Sequence, residues 1–198
     1  FQIDLLEQLA LRVPVINTPA AFRYHRQKAQ QHQLLLAHGI PTPSAVVTAD
    51  PARARTFIDG LQGRVVAKPL ASGAEVVMAD GPFLDAWEAR GACRPYVFQQ
   101  FVKGRALRAY LLGGELVSIG EIHYDRRYVD WRERTQRVST FAPPAELVGQ
   151  LRAAARLLEL PYCGIDIELD AHTKRYYLLD FNPSALFVGW SRLAGLDM

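Results

Sequence analysis

Two runs of sequence decide how this chain is read: Cys163-Gly164-Ile165-Asp166-Ile167-Glu168-Leu169 and Arg175-Tyr176-Tyr177-Leu178-Leu179-Asp180-Phe181-Asn182-Pro183. Between them lies a polar break over residues 170–174. Both arms are rich in β-branched, aromatic and leucine residues and the break carries turn formers, so the pattern predicts two antiparallel strands. A turn centred on Thr173 sets Asp166 directly opposite Asp180, with Cβ atoms roughly 5 Å apart. Asn182, two residues on, points to the same face as Asp180. Ile165, Ile167, Leu179 and Phe181 make the sheet a buried one, where an unpaired carboxylate is costly. Facing carboxylates also repel unless a cation sits between them. Three hard oxygen donors at that spacing suit Mg²⁺, which keeps its other positions for water and phosphate oxygens. Asp166, Asp180 and Asn182 are therefore the candidate metal ligands. Glu168 shares the Asp166 face and is the alternative ligand, ranked lower because Asp166 follows directly on Gly164-Ile165, where the strand enters.

Composition bounds the rest. The 198 residues are enough for one large domain or two small subdomains with real cores. Hydrophobic residues at 49% and charged ones at 22% are those of an ordinary globular protein. The net charge of +3 suits an anionic substrate, but no basic block interleaved with aromatics argues for nucleic acid. No apolar run has membrane length and no signal peptide is evident. Cys93 and Cys163 lack metal-ligand spacing, and the simplest reading is a pair of buried thiols in a reducing, cytoplasmic setting. The sequence begins at Phe1 without a methionine, which suggests a missing N-terminal domain.

Along the chain the pattern predicts helices over 4–12, 20–38, 51–61, 82–89 and 144–158. Strands are expected over 13–16, 44–48, 64–69, 75–79, 96–101, 107–112 and 115–122, besides the hairpin. Asp50 caps one helix ahead of Pro51, and Gly113-Gly114 joins two strands in a tight turn. Residues 124–142 are polar and arginine-rich and read as a long functional loop. The mixture is α+β with largely antiparallel sheets.

Lys28 on a helix, Lys68 ending a strand, a small-residue turn, Gln99-Gln100-Phe101-Val102, Gly104 to Arg108, Asp166 and Asp180-Phe181-Asn182-Pro183 follow one another in this order. That series resembles the ATP-grasp fold, and more closely the ribosomal-protein glutamate ligases and the graspetide (microviridin-type) peptide ligases. Pro14-Val15-Ile16-Asn17-Thr18-Pro19, Gly39-Ile40-Pro41-Thr42-Pro43 and the closing Leu193-Ala194-Gly195-Leu196-Asp197 are similar to the same groups. Gly120-Glu121-Ile122-His123 through Asp130-Trp131-Arg132 points toward the graspetide branch. The resemblance implies two α+β subdomains gripping a nucleotide between largely antiparallel sheets. Residues 1–19 would be the edge of an N-terminal domain, 20–98 the first subdomain with its nucleotide lid, and 99–198 the second, with the metal site.

The resemblance also implies roles. Lys28 and Lys68 would clamp the nucleotide phosphates as compact point charges. Ser72 and Gly73 would cover the phosphates with backbone N–H groups, and Gln99, Gln100, Phe101 and Val102 would form the hinge that reads the adenine edge. Arg108 lies in an apolar strand, where a buried arginine needs an anionic partner, and is assigned to the γ-phosphate or acyl-phosphate. The family's usual ribose-binding acid is replaced by Ala106. His123 reads as structural rather than as a base. Arg126, Arg127, Arg132, Arg134 and Arg137 offer partners to an anionic substrate, and Arg132 and Ser184 complete the set on the substrate side. The expected activity is ATP- and Mg²⁺-dependent (with Mn²⁺ as the other candidate) ligation of a carboxylate to an amine or hydroxyl through an acyl-phosphate. The carboxylate would belong to an amino acid, an acidic peptide or a small acid, with neither nucleic acid nor membrane as partner; a homo-oligomer is compatible. A ligase or kinase of small-molecule biosynthesis, and a nucleotide-binding protein without turnover, are the alternatives.

Overall fold

A computed structural model describes residues 2–70, 76–90, 94–125, 127, 129 and 135–195. Its strands form two sheets, every pairing antiparallel. The first sheet has the order β1-β4-β2-β3, from Ala45–Thr48 (β1), Val65–Pro69 (β2), Val77–Met78 (β3) and Tyr96–Gln100 (β4). The second has the order β7-β6-β5-β8-β9. Its strands are Gly104–Leu112 (β5), Glu115–Tyr124 (β6), Thr135–Thr140 (β7), Tyr162–Asp170 (β8) and Tyr176–Asn182 (β9). The helices are Gln2–Ala10 (α1), Arg23–Arg26 (α2), Lys28–Ala37 (α3), Pro51–Gly60 (α4), Gly81–Ala89 (α5), Ala145–Leu157 (α6) and Val188–Ala194 (α7). Among the described residues no helix is long and apolar enough to cross a membrane.

Strand alternation assigns each sheet a helix face and an open face, the open face of the second sheet being partly covered where Trp190 of α7 packs on Tyr110. In the first, Val65, Ala67 and Phe98 pack on Ala54 and Ile58 of α4 and Leu84 and Trp87 of α5. Both helices start as their sequences dictate. Asp50 accepts from the Ala52 N–H at 2.9 Å and Asp80 from the Phe83 N–H at 3.0 Å, each with a proline in the first turn. Val66, Lys68, Val97 and Gln99 are left on the opposite face. In the second sheet Leu107, Ala109, Leu111, Ile165 and Ile167 bury against Leu147, Leu151, Ala154 and Ala155 of α6 and Leu35 of α3. The even-numbered residues Ala106, Arg108, Tyr110, Asp166 and Glu168 take the other side. The two open faces meet across a cleft of about 1330 Å³.

Three local expectations are corrected. Residues 13–16 form no strand; with no sheet edge beside it, Ile16 stays 64% exposed, and the segment instead delivers Asn17 to the second sheet. The helix expected over 20–38 is a 3-10 turn, Pro19–Phe22, then α2 and α3, broken at Gln27, whose backbone leaves the helical region (φ −107°, ψ 61°). The loop expected over 124–142 contains β7, an edge strand that pairs with β6 from Tyr124↔Thr135 to Gly120↔Thr140.

Candidate active site

The β8–β9 hairpin has the predicted pairing, Asp166↔Asp180 and Gly164↔Asn182. A bulge follows between Asp166 and Ile167, after which Ile167 pairs with Leu178, so Leu179 is the extra residue of β9. Its consequence is visible in the core, where Leu178 and Phe181, three residues apart, both bury on the helix side.

Each carboxylate of the pair is met by a cation from a different element. Lys28, at the first position of α3, forms an ion pair with Asp180. Its Nζ also lies 3.3 Å from His25 Nδ1, which in turn lies 3.1 Å from the Phe181 carbonyl oxygen. Arg108 of β5 pairs with Asp166, its ladder neighbour, and lies over the Tyr110 ring at 5.2 Å. The guanidinium fits because position 164 has no side chain: a Cβ there would run into Arg108 Nη2 and stand 2.6 Å from the Ala185 Cβ. The two acids are driven apart electrostatically. Burial pushes the Asp166 carboxyl above the usual range, Arg108 offsets only part of this, and Asp180 adds to it. Burial also works against Asp180, but Lys28 by charge and hydrogen bond, with Lys68 and His25 further off, outweighs it and holds that carboxyl at about 2. Arg108 stays charged because Asp166 and Tyr110 overcome its burial.

The remaining candidates fall at defined places. Lys68 Nζ donates to Gln99 Oε1 at 2.5 Å across the open face of the first sheet. Gln100, Phe101 and Val102 line the cleft where the chain leaves that sheet. The N–H groups of Gln100 and Phe101 are committed to the Ser44 and Arg64 carbonyls at 2.8 and 2.9 Å. Ser184 donates to Asn182 Oδ1 from its N–H at 2.9 Å and from its hydroxyl at 3.3 Å, so it orients the amide. Ser72, Gly73 and Arg132, with Cys93, lie outside the described residues; Cys163 is buried, and burial pushes its thiol up to about 12. His123 pairs with Arg137 of β7, and its Nε2 lies 2.8 Å from Ser139 Oγ; Ile122 and Tyr124 line the cleft from the opposite face of β6.

Sequence reasoning missed three contributors. Gly164 leaves room for Arg108, and His25 buttresses Lys28. The third, Asn17, is buried and donates from Nδ2 to the Pro183 and Tyr162 carbonyls at 2.5 and 2.6 Å, accepting from the Tyr162 N–H at 3.0 Å. It thereby ties together the start of β8 and the residue after β9. The only signal for it was its place in the Pro14–Pro19 phrase.

Among the described residues no three His, Cys, Asp or Glu side chains form a metal cluster. A cation beside Asp166, Asp180 and Asn182 would find two carboxylates and an amide, a set that suits a hard cation sharing its coordination with water and phosphate rather than a closed protein cage.

The sequence matches the RimK-like ATP-grasp domain over residues 25–198. This chain belongs to that family. The RimK-like fold is shared by a structure of the ATP-grasp ligase PsnB with a phosphomimetic variant of its minimal precursor, Mg and ADP. That likeness has 28% identity and a TM-score of 0.86, and covers 100% of this chain and 62% of PsnB. The macrocyclase MdnC bound with precursor peptide MdnA, from Microcystis aeruginosa MRC, has the same fold at 20% identity and a TM-score of 0.81, covering 99% of this chain and 65% of MdnC. So does the D-alanine–D-alanine ligase from Bacillus anthracis complexed with ATP, at 18% identity and a TM-score of 0.73, covering 97% and 68%. The RimK-like chain described here spans about three fifths of the PsnB chains it matches. No curated protein matches it in sequence.

Proposed function

We propose that this chain is the nucleotide-binding and catalytic part of an ATP-dependent ligase that joins a carboxylate to an amine or hydroxyl. The observation that carries the reading is the Asp166–Asp180 pair with Asn182 beside it, faced by Lys28, Lys68 and Arg108 in one cleft between two antiparallel sheets. In this reading a carboxylate oxygen of the substrate attacks the γ-phosphorus of ATP and ADP leaves. The amine or hydroxyl then attacks the acyl carbon of the mixed anhydride, and phosphate leaves with the bonding pair. Such chemistry asks little of the protein beyond positioning and charge neutralisation. Lys28 and Lys68 supply point charges to the phosphates, and Arg108 supplies a fixed buried charge at the transferring group. Mg²⁺ held by Asp166, Asp180 and Asn182 would neutralise phosphate oxygens there. Asn182 is aimed by Ser184, and the hairpin ends are held by Asn17.

An acidic peptide is the proposed substrate. The arginine-rich segment 126–137 supports it, as does the likeness to PsnB, whose structures carry a precursor peptide. The test is ADP release from ATP and Mg²⁺ with Asp- and Glu-rich peptides, with hydroxylamine added as the acceptor. Peptide hydroxamate formed in step with ADP, and lost in Asp180→Asn, is the expected result. ATP binding without ADP release under any peptide would instead mark a binding protein.

A further inference from the structure

One ring nitrogen beside the cleft faces two groups that it cannot satisfy together. His25 Nδ1 lies 3.3 Å from Lys28 Nζ and 3.1 Å from the Phe181 carbonyl oxygen. An ammonium only donates and a carbonyl only accepts, whereas Nδ1 either carries a proton or offers a lone pair. Only one of the two contacts is a hydrogen bond at any moment. The break at Gln27 sets up the conflict: it separates the helix that carries His25 from the helix that opens on Lys28, and both side chains reach β9. A bond from an ionised donor is the stronger of the two. While Lys28 rests on Asp180 it therefore holds Nδ1 as an acceptor, and the ring proton sits on Nε2. Phe181 is the residue between Asp180 and Asn182, on the edge strand of its sheet. Its carbonyl is a handle by which a group outside the sheet can fix that stretch of β9.

We infer that His25 is a positioning residue whose tautomer follows Lys28. This rests on the nucleotide reading above, with Lys28 at the phosphates. When a phosphate oxygen draws Lys28 away, Nδ1 loses its donor. Water then protonates Nδ1 and takes the proton from Nε2, so the ring stays neutral, and Nδ1–H donates to the Phe181 carbonyl. His25 lines the cleft and is only half-buried, so water reaches it. β9 thus gains an anchor as Asp180 loses its ion pair, and Asp180 and Asn182 are held in place for the cation that arrives with the nucleotide.

The experiment records proton–nitrogen NMR spectra of the chain with isotope-labelled histidine, His25 being identified by the signals missing from His25→Asn. Nδ1 should be bare without nucleotide and protonated with Mg²⁺ and a non-hydrolysable ATP analogue. In Lys28→Met it should be protonated from the start. In ADP-binding assays His25→Ala should need roughly fivefold more Mg²⁺, the worth of one neutral hydrogen bond. His25→Asn, whose amide N–H stands near the place of Nδ1, should recover most of that loss. Nδ1 left bare in the nucleotide complex, or protonated before it in wild type, overturns the inference and leaves the nucleotide site standing. An unchanged Mg²⁺ demand in His25→Ala also overturns it, because the anchor would then hold nothing. A wild-type chain that binds no nucleotide overturns both readings.

Discussion

Lys28 and Arg108 do for the facing carboxylates what the sequence said some cation must do. The difference between the two acids is testable through Lys28. Asp180 titrates at about 2 when folded, below the ordinary value near 4 of an unfolded chain. A depressed folded value gives stability that is present above about pH 4 and is lost as pH falls toward 2. Lys28→Met removes the main cause of the lowering, leaving burial to push Asp180 up against the weaker pull of Lys68 and His25. Denaturant midpoints between pH 5 and 2.5 should thus fall less steeply in the variant; parallel curves would show that Lys28 does not govern Asp180. A second residue-scale test is Gly164→Ala. The added methyl meets a guanidinium that is pinned by Asp166 and buried, so it cannot swing away cheaply. Overpacking of this kind costs about 1–3 kcal/mol, read as a lowered denaturant midpoint, and turnover should fall further because Arg108 is displaced. An unchanged midpoint would mean that Arg108 has room to move.

At the scale of elements, the hairpin was legible because two apolar alternating arms flank a polar turn, and its key pair was right to the residue. The bulge was not. The last ladder pair is Leu169↔Tyr176, and counting back from it without a bulge would set Asp166 opposite Leu179. Only the demand that Leu178 and Phe181 both reach the helix-side core reveals the extra residue, and that demand is tertiary. Strand β7 escaped notice for a similar reason: Thr135-Gln136-Arg137-Val138-Ser139-Thr140 has one buried apolar residue, Val138, and takes its shape from the β6 edge. Residues 13–16 erred the other way, being apolar enough for a strand but without an edge to join. The break at Gln27 was hidden because contacts of His25 and Lys28 with β9 compete with local propensity. The bulge makes an unusual prediction. Deleting Leu179 should leave every ladder pair possible, because Asp180 then falls opposite Asp166 in straight register. The deletion variant should fold, with circular dichroism close to wild type. Bulges beside sites re-aim side chains, so its Mg²⁺-dependent ADP release should be lost. Full activity would mean that the bulge serves the core alone.

For the whole molecule, the architecture was legible from the order of its motifs, whereas which segment packs with which sheet was not. Ala21, Leu35 and Ile40 precede the first sheet in sequence but bury in the core of the second. If nucleotide bridges the cleft, Mg·ADP binds only the folded chain and stabilises it by mass action, about 2.7 kcal/mol at a hundred times its Kd. The rise in Tm should vanish in Lys68→Ala; a full rise there would remove Lys68 from the phosphate site. The clamp made by Asn17 bears on something else, the time order of assembly. Its partners lie 145 and 166 residues later, and the partner of Lys28 lies 152 later. Contacts so distant in sequence form late, after loop closure has been met by other interactions. A chain emerging from the ribosome can build the first sheet with its own helices from residues 45–100, but Asn17 and Lys28 must wait for β9. The two ion pairs of the cleft therefore form in order: Arg108 can meet Asp166 once β8 has been made, whereas Lys28 has no Asp180 to meet until β9 follows.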